Sequence, residues 1–195
     1  MHQHSGLQRL ALFGTLLATF SELHPLADQW AQSSEAAATK GLHGRQRVYR
    51  DGTPAGEGNE GRTDRTMAAS ALGRRGVVRH VTSYGIVQLS GTVAVTRALG
   101  YRVPARALLA GAAINLATHA AIDRREPLLW LARKANKDGY INHCTATRVA
   151  EDGSVHTELS GPGTALLELD QALHRAIGVT AALVTTWLAT RKAAI

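Results

Sequence analysis

The feature that most constrains this chain is a set of four long apolar segments separated by polar stretches. Each segment has an apolar core of about 12 to 18 residues, which suits a helix and falls short of a typical bilayer span. The segments run over residues 7–23, 81–99, 104–122 and 165–190. We therefore predict an all-α fold, an up-down bundle of four hydrophobic helices that forms a single domain over residues 1–195.

Composition agrees with packed helices and leaves their environment open. Small and aliphatic residues dominate while aromatic residues make up only 5%, which favours closely packed helices over an aromatic-rich β-sandwich. The mean hydropathy of −0.10 is low for a protein with several spans, although the long polar loops lower it. Hydropathy alone leaves a membrane bundle and a soluble bundle equally open.

Two polar stretches interrupt the apolar pattern. Residues 33–76 are rich in Gly, Arg, Glu and Asp, which predicts a mobile polar loop. Residues 136–163 are predicted to form an inserted loop with a short β-hairpin near 140–160, whose turn is the segment 151–154.

The chain is basic, with a formal net charge of +7, which indicates an acidic partner such as nucleic acid or an anionic membrane. No helix-turn-helix, zinc-finger or RNP signature accompanies the charge, and few aromatic residues are present to stack on bases. A nucleic-acid partner is therefore disfavoured. The single cysteine, Cys144, excludes an internal disulfide and fits a reducing compartment.

Histidine and aspartate residues recur at the ends of the apolar segments. Two segments end in an H-x3-D pair, a third begins with the reversed pair, and a lone histidine precedes the remaining one. If the helices alternate in direction, all of these side chains meet at one end of the bundle. The residues are, in chain order, His24 with Asp28, His80, His119 with Asp123, and Asp170 with His174.

Such a cluster predicts a metal centre built from all seven side chains. Neutral imidazoles and carboxylates on rigid helices suit a divalent ion such as Zn²⁺ or Mn²⁺, and seven ligands are enough for two ions. Any one of Asp28, Asp123 and Asp170 could instead act as a general base. The alternative is structural, with the pairs hydrogen-bonding one another to hold the helices in register.

Arg124 and Arg125 directly follow the third cluster. Two adjacent guanidinium groups could bind the phosphate of a substrate or a lipid head group, or could equally lie solvated at a membrane interface. No G-x-S-x-G, P-loop, H-E-x-x-H or G-x-G-x-x-G motif occurs. Three functions remain: a metal-dependent phosphoester or lipid hydrolase, a non-enzymatic membrane protein with a structural or ion-relay cluster, and a soluble nucleic-acid-binding protein.

The short motifs together resemble an uncharacterised bacterial and phage family of small integral membrane proteins. The matching stretches are HPLADQW (24–30) with Lys40 downstream, RHV (79–81), HAAID (119–123) and LDQALH (169–174). The pattern is more distantly similar to membrane-bound metal-dependent hydrolases and to zinc-dependent phospholipase C enzymes. The resemblance implies an integral membrane location. The basic loops and the free cysteine favour a cytoplasmic site.

Overall fold

The computed structural model describes residues 2–56, 58–59 and 61–191. This part of the chain is 66% helix and 7% strand, so the predicted helical fold class is confirmed at this level. Its helices are α1 (His2–Pro25), continued by a π-helical turn (Leu26–Trp30), α2 (Ser34–Thr39), α3 (Ala69–Ala98), α4 (Ala105–Asp123), α5 (Glu126–Lys134), α6 (Asp138–His143) and α7 (Ala165–Thr190). Its strands are β1 (Arg47–Val48), β2 (Met67–Ala68), β3 (Ala146–Val149) and β4 (Val155–Glu158).

Helices α1, α4 and α7 follow the apolar segments closely, whereas α3 begins twelve residues before the predicted start at residue 81. Its first three turns are amphipathic and not uniformly apolar. Ala69, Leu72, Gly73, Gly76 and Val77 are buried at helical spacing while arginines lie on the other face. A search for apolar runs therefore misses this part of the helix.

The four long helices pack in a ring in which α1 contacts α3 and α7, and α4 contacts the same two helices. Leu12, Leu16 and Phe20 of α1 form an apolar cluster with Ala181 and Ala182 of α7. This arrangement fixes which helix ends can meet.

The long helices expose many apolar side chains and bury both apolar and polar ones. Three of them are long and apolar enough to cross a membrane, over Gly6–Trp30, Ala105–Asp123 and Ala165–Thr190, and a third or less of each apolar window is buried. Exposed residues on the long helices include Ile86, Leu109 and Leu183. These features indicate membrane association. Of the four predicted hydrophobic helices, three are thus long and apolar enough to cross a membrane, and α3 is not one of them.

The segment 33–76, predicted to be a mobile polar loop, contains α2 and the antiparallel pair β1–β2. Val48 of this segment packs against Ala69 and Leu72 of α3. The Glu35 carboxylate accepts hydrogen bonds from Arg50 and forms an ion pair with Arg79 of α3, and these contacts hold the pKa of that carboxyl below its usual value. The segment is thus anchored to α3, and its mobility stays a prediction.

The predicted hairpin near 140–160 is present as β3 paired with β4 in antiparallel register. Gly153 adopts a positive φ of 82° in the turn, which favours glycine there. Residues 140–143, which the pattern assigned to the first strand, instead belong to α6. Ile141 of α6 packs in an apolar cluster with Ile122 of α4 and Leu166 of α7, which accounts for the helix.

Gly111 is the point of close approach between α4 and α7, and its replacement tests that packing. A Cβ at this position would collide with Thr185 Oγ1 and lie 3.2 Å from the Ala181 carbonyl oxygen. We expect Gly111→Ala to lower the free energy of unfolding by about 1–3 kcal/mol through overpacking. Thermal unfolding in detergent measures the effect. Gly14→Ala is the control because no neighbour lies within 4 Å of its added Cβ, and equal stability of the two variants contradicts the packing.

Candidate metal centre

All seven residues predicted to form the site lie in one cluster, and each contacts at least one other member. The end of α1 and its π-helical turn supply His24 and Asp28, and α3 supplies His80. The end of α4 and the start of α7 supply the remaining four. In the π-helical turn, the Ala31 N–H donates to the Leu26 carbonyl five residues earlier, and both His24 and Asp28 are buried.

Four of these residues, Asp28, His80, His119 and Asp123, each place one possible ligand atom within 4.8 Å of the other three. The His80 and His119 Nε2 atoms are 2.8 Å apart. Asp28 Oδ1 lies 3.0 Å from His80 Nε2 and 3.5 Å from His119 Nε2. Asp123 Oδ2 lies 3.1 Å and 3.4 Å from the same two nitrogens. All four residues are buried.

Ligand bonds of about 2.0–2.2 Å to a tetrahedral Zn²⁺ imply ligand–ligand distances of about 3.3–3.6 Å. The contacts of His119 Nε2 with the two carboxylates, at 3.4 Å and 3.5 Å, lie in that range. The separations of 2.8–3.1 Å that involve His80 Nε2 are shorter, so His80 would have to move outward to bind the same ion.

The two converging oxygens, Asp28 Oδ1 and Asp123 Oδ2, are buried and make no well-aligned hydrogen bond among the described residues, although each lies within ion-pair distance of both imidazoles. Two buried carboxylates side by side are costly, and a cation held between them would offset their charge. The predicted metal-binding group is therefore supported for these four residues, while the identity of the ion is not fixed.

Packing holds the two central imidazoles in place. The His119 ring lies 4.1 Å from the Tyr84 ring and 4.0 Å from the His174 ring, centroid to centroid. The Nδ1 atoms of His80 and His119 are buried and have no hydrogen-bond partner in the described part of the chain. Their orientation thus depends on ring contacts and not on the hydrogen bond to Nδ1 that many metal-binding histidines make.

Asp123, Asp170 and His174 form a second possible ligand group that shares Asp123 with the first. The His174 Nδ1 atom is 2.9 Å from the Asp170 carbonyl oxygen. Because a carbonyl oxygen only accepts, Nδ1 carries the proton and Nε2 carries the lone pair. His174 Nε2 is buried and unpartnered among the described atoms, so it is free to accept a ligand or a proton.

His24 lies beside the centre and belongs to neither ligand group of the described residues. Its Nε2 contacts Gln171 Oε1 at 3.1 Å, and its Nδ1 contacts the Tyr84 hydroxyl at the same distance. The Gln171 amide in turn donates to Asp28 Oδ2 at 3.1 Å and to Asp170 Oδ2 at 3.3 Å. These bonds give His24 a positioning role through Gln171, and its assignment as a ligand stays a prediction.

Lys40 supplies a positive charge at the edge of the centre. Its Nζ lies 3.0 Å from Asp123 Oδ1 and 3.7 Å from Asp28 Oδ1. With Asp170, the site contains three carboxylates, whose ionised charge of −3 is balanced by Lys40 and one divalent ion. Charge balance therefore favours one ion where ligand counting alone allows two.

The two adjacent arginines have different surroundings. Arg124 Nη1 donates to the Lys40 carbonyl at 3.0 Å, so this guanidinium fixes the backbone that carries Lys40. Arg125 lines an open cavity of about 750 Å³ whose wall also includes Lys40, Asp123 and Asp170. The ligand carboxylates are therefore reachable from this cavity, and Arg125 faces the same space.

Sequence reasoning assigned no role to Lys40, Tyr84 or Gln171. Two of the three have a local signal: Tyr84 follows His80 by one helical turn, and Gln171 lies between Asp170 and His174. Lys40 has no helical-spacing signal, because tertiary packing brings it to the centre, and the sequence names it only in the family resemblance.

Comparison with known proteins gives no match: no family model, curated protein or solved structure is similar to the chain. The chemistry of the centre is therefore inferred from its own geometry.

Removal of one shared carboxylate tests the centre. We expect purified protein to retain one Zn²⁺ or Mn²⁺ per chain and Asp123→Asn to lose it, because the amide is neutral. At about 100 times the dissociation constant, the ion should raise the free energy of unfolding by about 2.7 kcal/mol. Elemental analysis and thermal unfolding measure both effects. Asp152→Asn, an exposed hairpin residue, is the control, and wild-type protein that unfolds identically with and without each ion contradicts a metal centre.

Proposed function

We propose that this protein is an integral membrane hydrolase that uses one divalent ion, Zn²⁺ or Mn²⁺, to cleave a phosphate ester. The observation that carries the proposal is the convergence of Asp28, His80, His119 and Asp123, with two buried carboxylate oxygens that make no well-aligned hydrogen bond among the described residues. A divalent ion in such a site supplies Lewis acidity and makes bound water more acidic.

The proposed setting is an up-down bundle in a bilayer, in which α3 is the fourth, mainly interior-facing member. Trp30 and Trp130 are exposed near the ligand end, and Trp187 is exposed toward the other end of α7. Asp170 and Trp187 are 17 residues apart on α7, or about 26 Å, which is close to the thickness of the hydrocarbon core. Tryptophans at both levels suit the two membrane interfaces.

The motif resemblance to a bacterial and phage family of small integral membrane proteins supports the same setting and remains a proposal. A cytoplasmic position for the ligand end of the bundle also remains a proposal. A soluble nucleic-acid-binding function is less favoured, because the outward faces of α1, α4 and α7 are largely apolar.

The open cavity beside the ligands supports hydrolysis. Asp170 borders this cavity, lies outside the first ligand group and is only partly buried, which suits a general base. Arg125 is placed to contact phosphate oxygens through its planar guanidinium. Arg124, which the sequence paired with it as a phosphate contact, is occupied by the Lys40 carbonyl.

The proposed reaction is the hydrolysis of a phosphate ester. The oxygen of a water molecule bonds to phosphorus as the bond from phosphorus to the alcohol oxygen breaks. Asp170 takes one proton from the water, and the departing alcohol oxygen gains a proton from solvent. The protein's part is to hold the phosphate at Arg125 and to accept the proton at the Asp170 carboxylate.

Asp170→Asn tests this assignment. We expect the variant to keep its metal ion while its rate of 4-nitrophenyl phosphate hydrolysis falls at least about a hundredfold, because the amide cannot accept the proton. Steady-state kinetics with elemental analysis of the same sample measures both.

Glu168→Gln is the matched control, since Glu168 is an exposed acid on the same helix. A variant at Asp170 that keeps full activity contradicts its role as base. Wild-type protein that binds the ion and hydrolyses no phosphate ester contradicts the hydrolase function itself.

A second candidate function, a proton or ion relay, is favoured by a polar seam along α3. The residues His80, Tyr84, Gln88, Thr92 and Thr96 recur every fourth position and are all buried. The first and last are 16 positions apart, or about 24 Å along the helix, and the seam starts at the ligands. Buried polar side chains along a membrane-embedded helix are typical of ion pathways.

Gln88→Leu separates the two functions. Its amide donates to the Tyr84 hydroxyl and to the Phe20 carbonyl, so leucine interrupts the seam without removing a ligand. A relay predicts that vesicles containing the protein dissipate a pH gradient, detected with an enclosed pH-sensitive dye, and that Gln88→Leu slows this. Ser90→Ala, on the exposed face of α3, is the control. The absence of proton flux through wild-type protein contradicts a proton relay.

A further inference from the structure

A groove between α1 and α7 leads from the outer surface of the bundle to the histidines beside the metal ligands. It has a volume of about 390 Å³, within the range of pockets that bind small molecules. Small residues keep it open, because Gly14 and Ala18 lie on the α1 side and Gly178 on the α7 side. A Cβ added at Gly178 would have Phe20 Cβ, at 4.0 Å, as its nearest neighbour, so the space beside it is unfilled.

The groove is apolar along its length and polar at its inner end. Its walls include Leu17, Phe20 and Val179, whereas four polar side chains form the inner end. Both walls belong to helices that are long and apolar enough to span a membrane, and Val179 is partly exposed on the outer face. The polar residues at the inner end are His24, Tyr84, Asn115 and His174.

One layer of side chains separates this polar end from the proposed metal ligands. The His174 ring lies 4.0 Å from the His119 ring, and His24 Nε2 lies 3.8 Å from Asp28 Oδ2. A molecule with an apolar chain in the groove would thus bring its polar end to the centre. At the mouth, Glu22 and Arg175 are exposed and carry charges of opposite sign, which suits the boundary between hydrocarbon and head groups.

We infer that the α1–α7 groove binds the apolar chain of an amphiphilic phosphate ester, whose head group reaches the metal centre from the membrane side. This inference rests on the proposed function and specifies its substrate as a membrane amphiphile. The chain enters laterally between two spans, the phosphate lies between the metal ligands and Arg125, and the aqueous cavity bordered by Arg125 supplies water and releases the product.

The binding of a short-chain and a long-chain phosphonate tests the inference without measuring activity. The probes are methylphosphonate and octylphosphonate, which resemble a phosphate ester but cannot be hydrolysed at a P–O–C bond. Each is titrated calorimetrically into the metal-loaded, full-length protein in detergent, with blank titrations into detergent subtracted. We expect octylphosphonate to bind at least about tenfold more tightly than methylphosphonate, because its chain is buried.

Gly178→Leu should abolish this difference while leaving the bound ion and the affinity for methylphosphonate unchanged. Gly6→Leu is the matched control, since its added side chain also meets open space but lies outside the groove. Equal binding of the two phosphonates to wild-type protein overturns the inference, and so does a chain-length effect that survives in Gly178→Leu.

The remaining outcomes separate this inference from the proposed function. Wild-type protein that is a dimer in detergent and becomes a monomer in Gly178→Leu, with no change in phosphonate binding, would identify the groove as a contact between two copies of the chain and overturn the inference alone. Metal-loaded protein that binds methylphosphonate without any chain-length effect overturns the lateral groove and leaves the proposed centre standing. Protein that binds neither the ion nor either phosphonate overturns both.

Discussion

The structure depends on the electrostatic balance of carboxylates inside a helical bundle. Asp28 and Asp123 are buried, and each places one oxygen within ion-pair distance of His80 and His119 without a well-aligned hydrogen bond among the described residues. Like charges in a poorly solvated interior repel, so this geometry requires positive charge close by. Lys40 provides part of it, and a divalent ion held by the four converging side chains would provide the rest.

The need for positive charge beside the buried carboxylates explains why the polar segment that contains Lys40 packs against the bundle. Lys40 is held from both sides, because Arg124 binds its carbonyl and Gly76 of α3 allows its backbone to approach closely. At Gly76 a Cβ would lie 2.9 Å from the Lys40 nitrogen, and at Gly73 it would collide with the Leu42 carbonyl. Two glycines on one face of α3 therefore let this segment lie against the helix and place its lysine.

The sequence predicted those site residues that are related by the i, i+4 spacing of a helix. The H-x3-D pairs and the order of the helices were enough to bring His24, Asp28, His119 and Asp123 to one end, because i and i+4 share a face and the helices alternate. It did not reveal Lys40, whose position comes from tertiary packing, nor the start of α3, where apolar residues alternate with arginines. Helical spacing does not determine side-chain rotamers, so it does not tell which carboxylates come close together.

The polar face of α3 links these observations. Apart from Gly85, its buried residues from His80 to Thr96 have hydrogen-bonding side chains, so the helix falls short of the apolar character that α1, α4 and α7 have. Helices α1 and α4 pack on this polar face and cover it, while the opposite face of α3, which carries Val78 and Ile86, is exposed. The polar face thus lies inside the bundle within reach of the membrane interior, and the α1–α7 groove opens the surface of the bundle toward it.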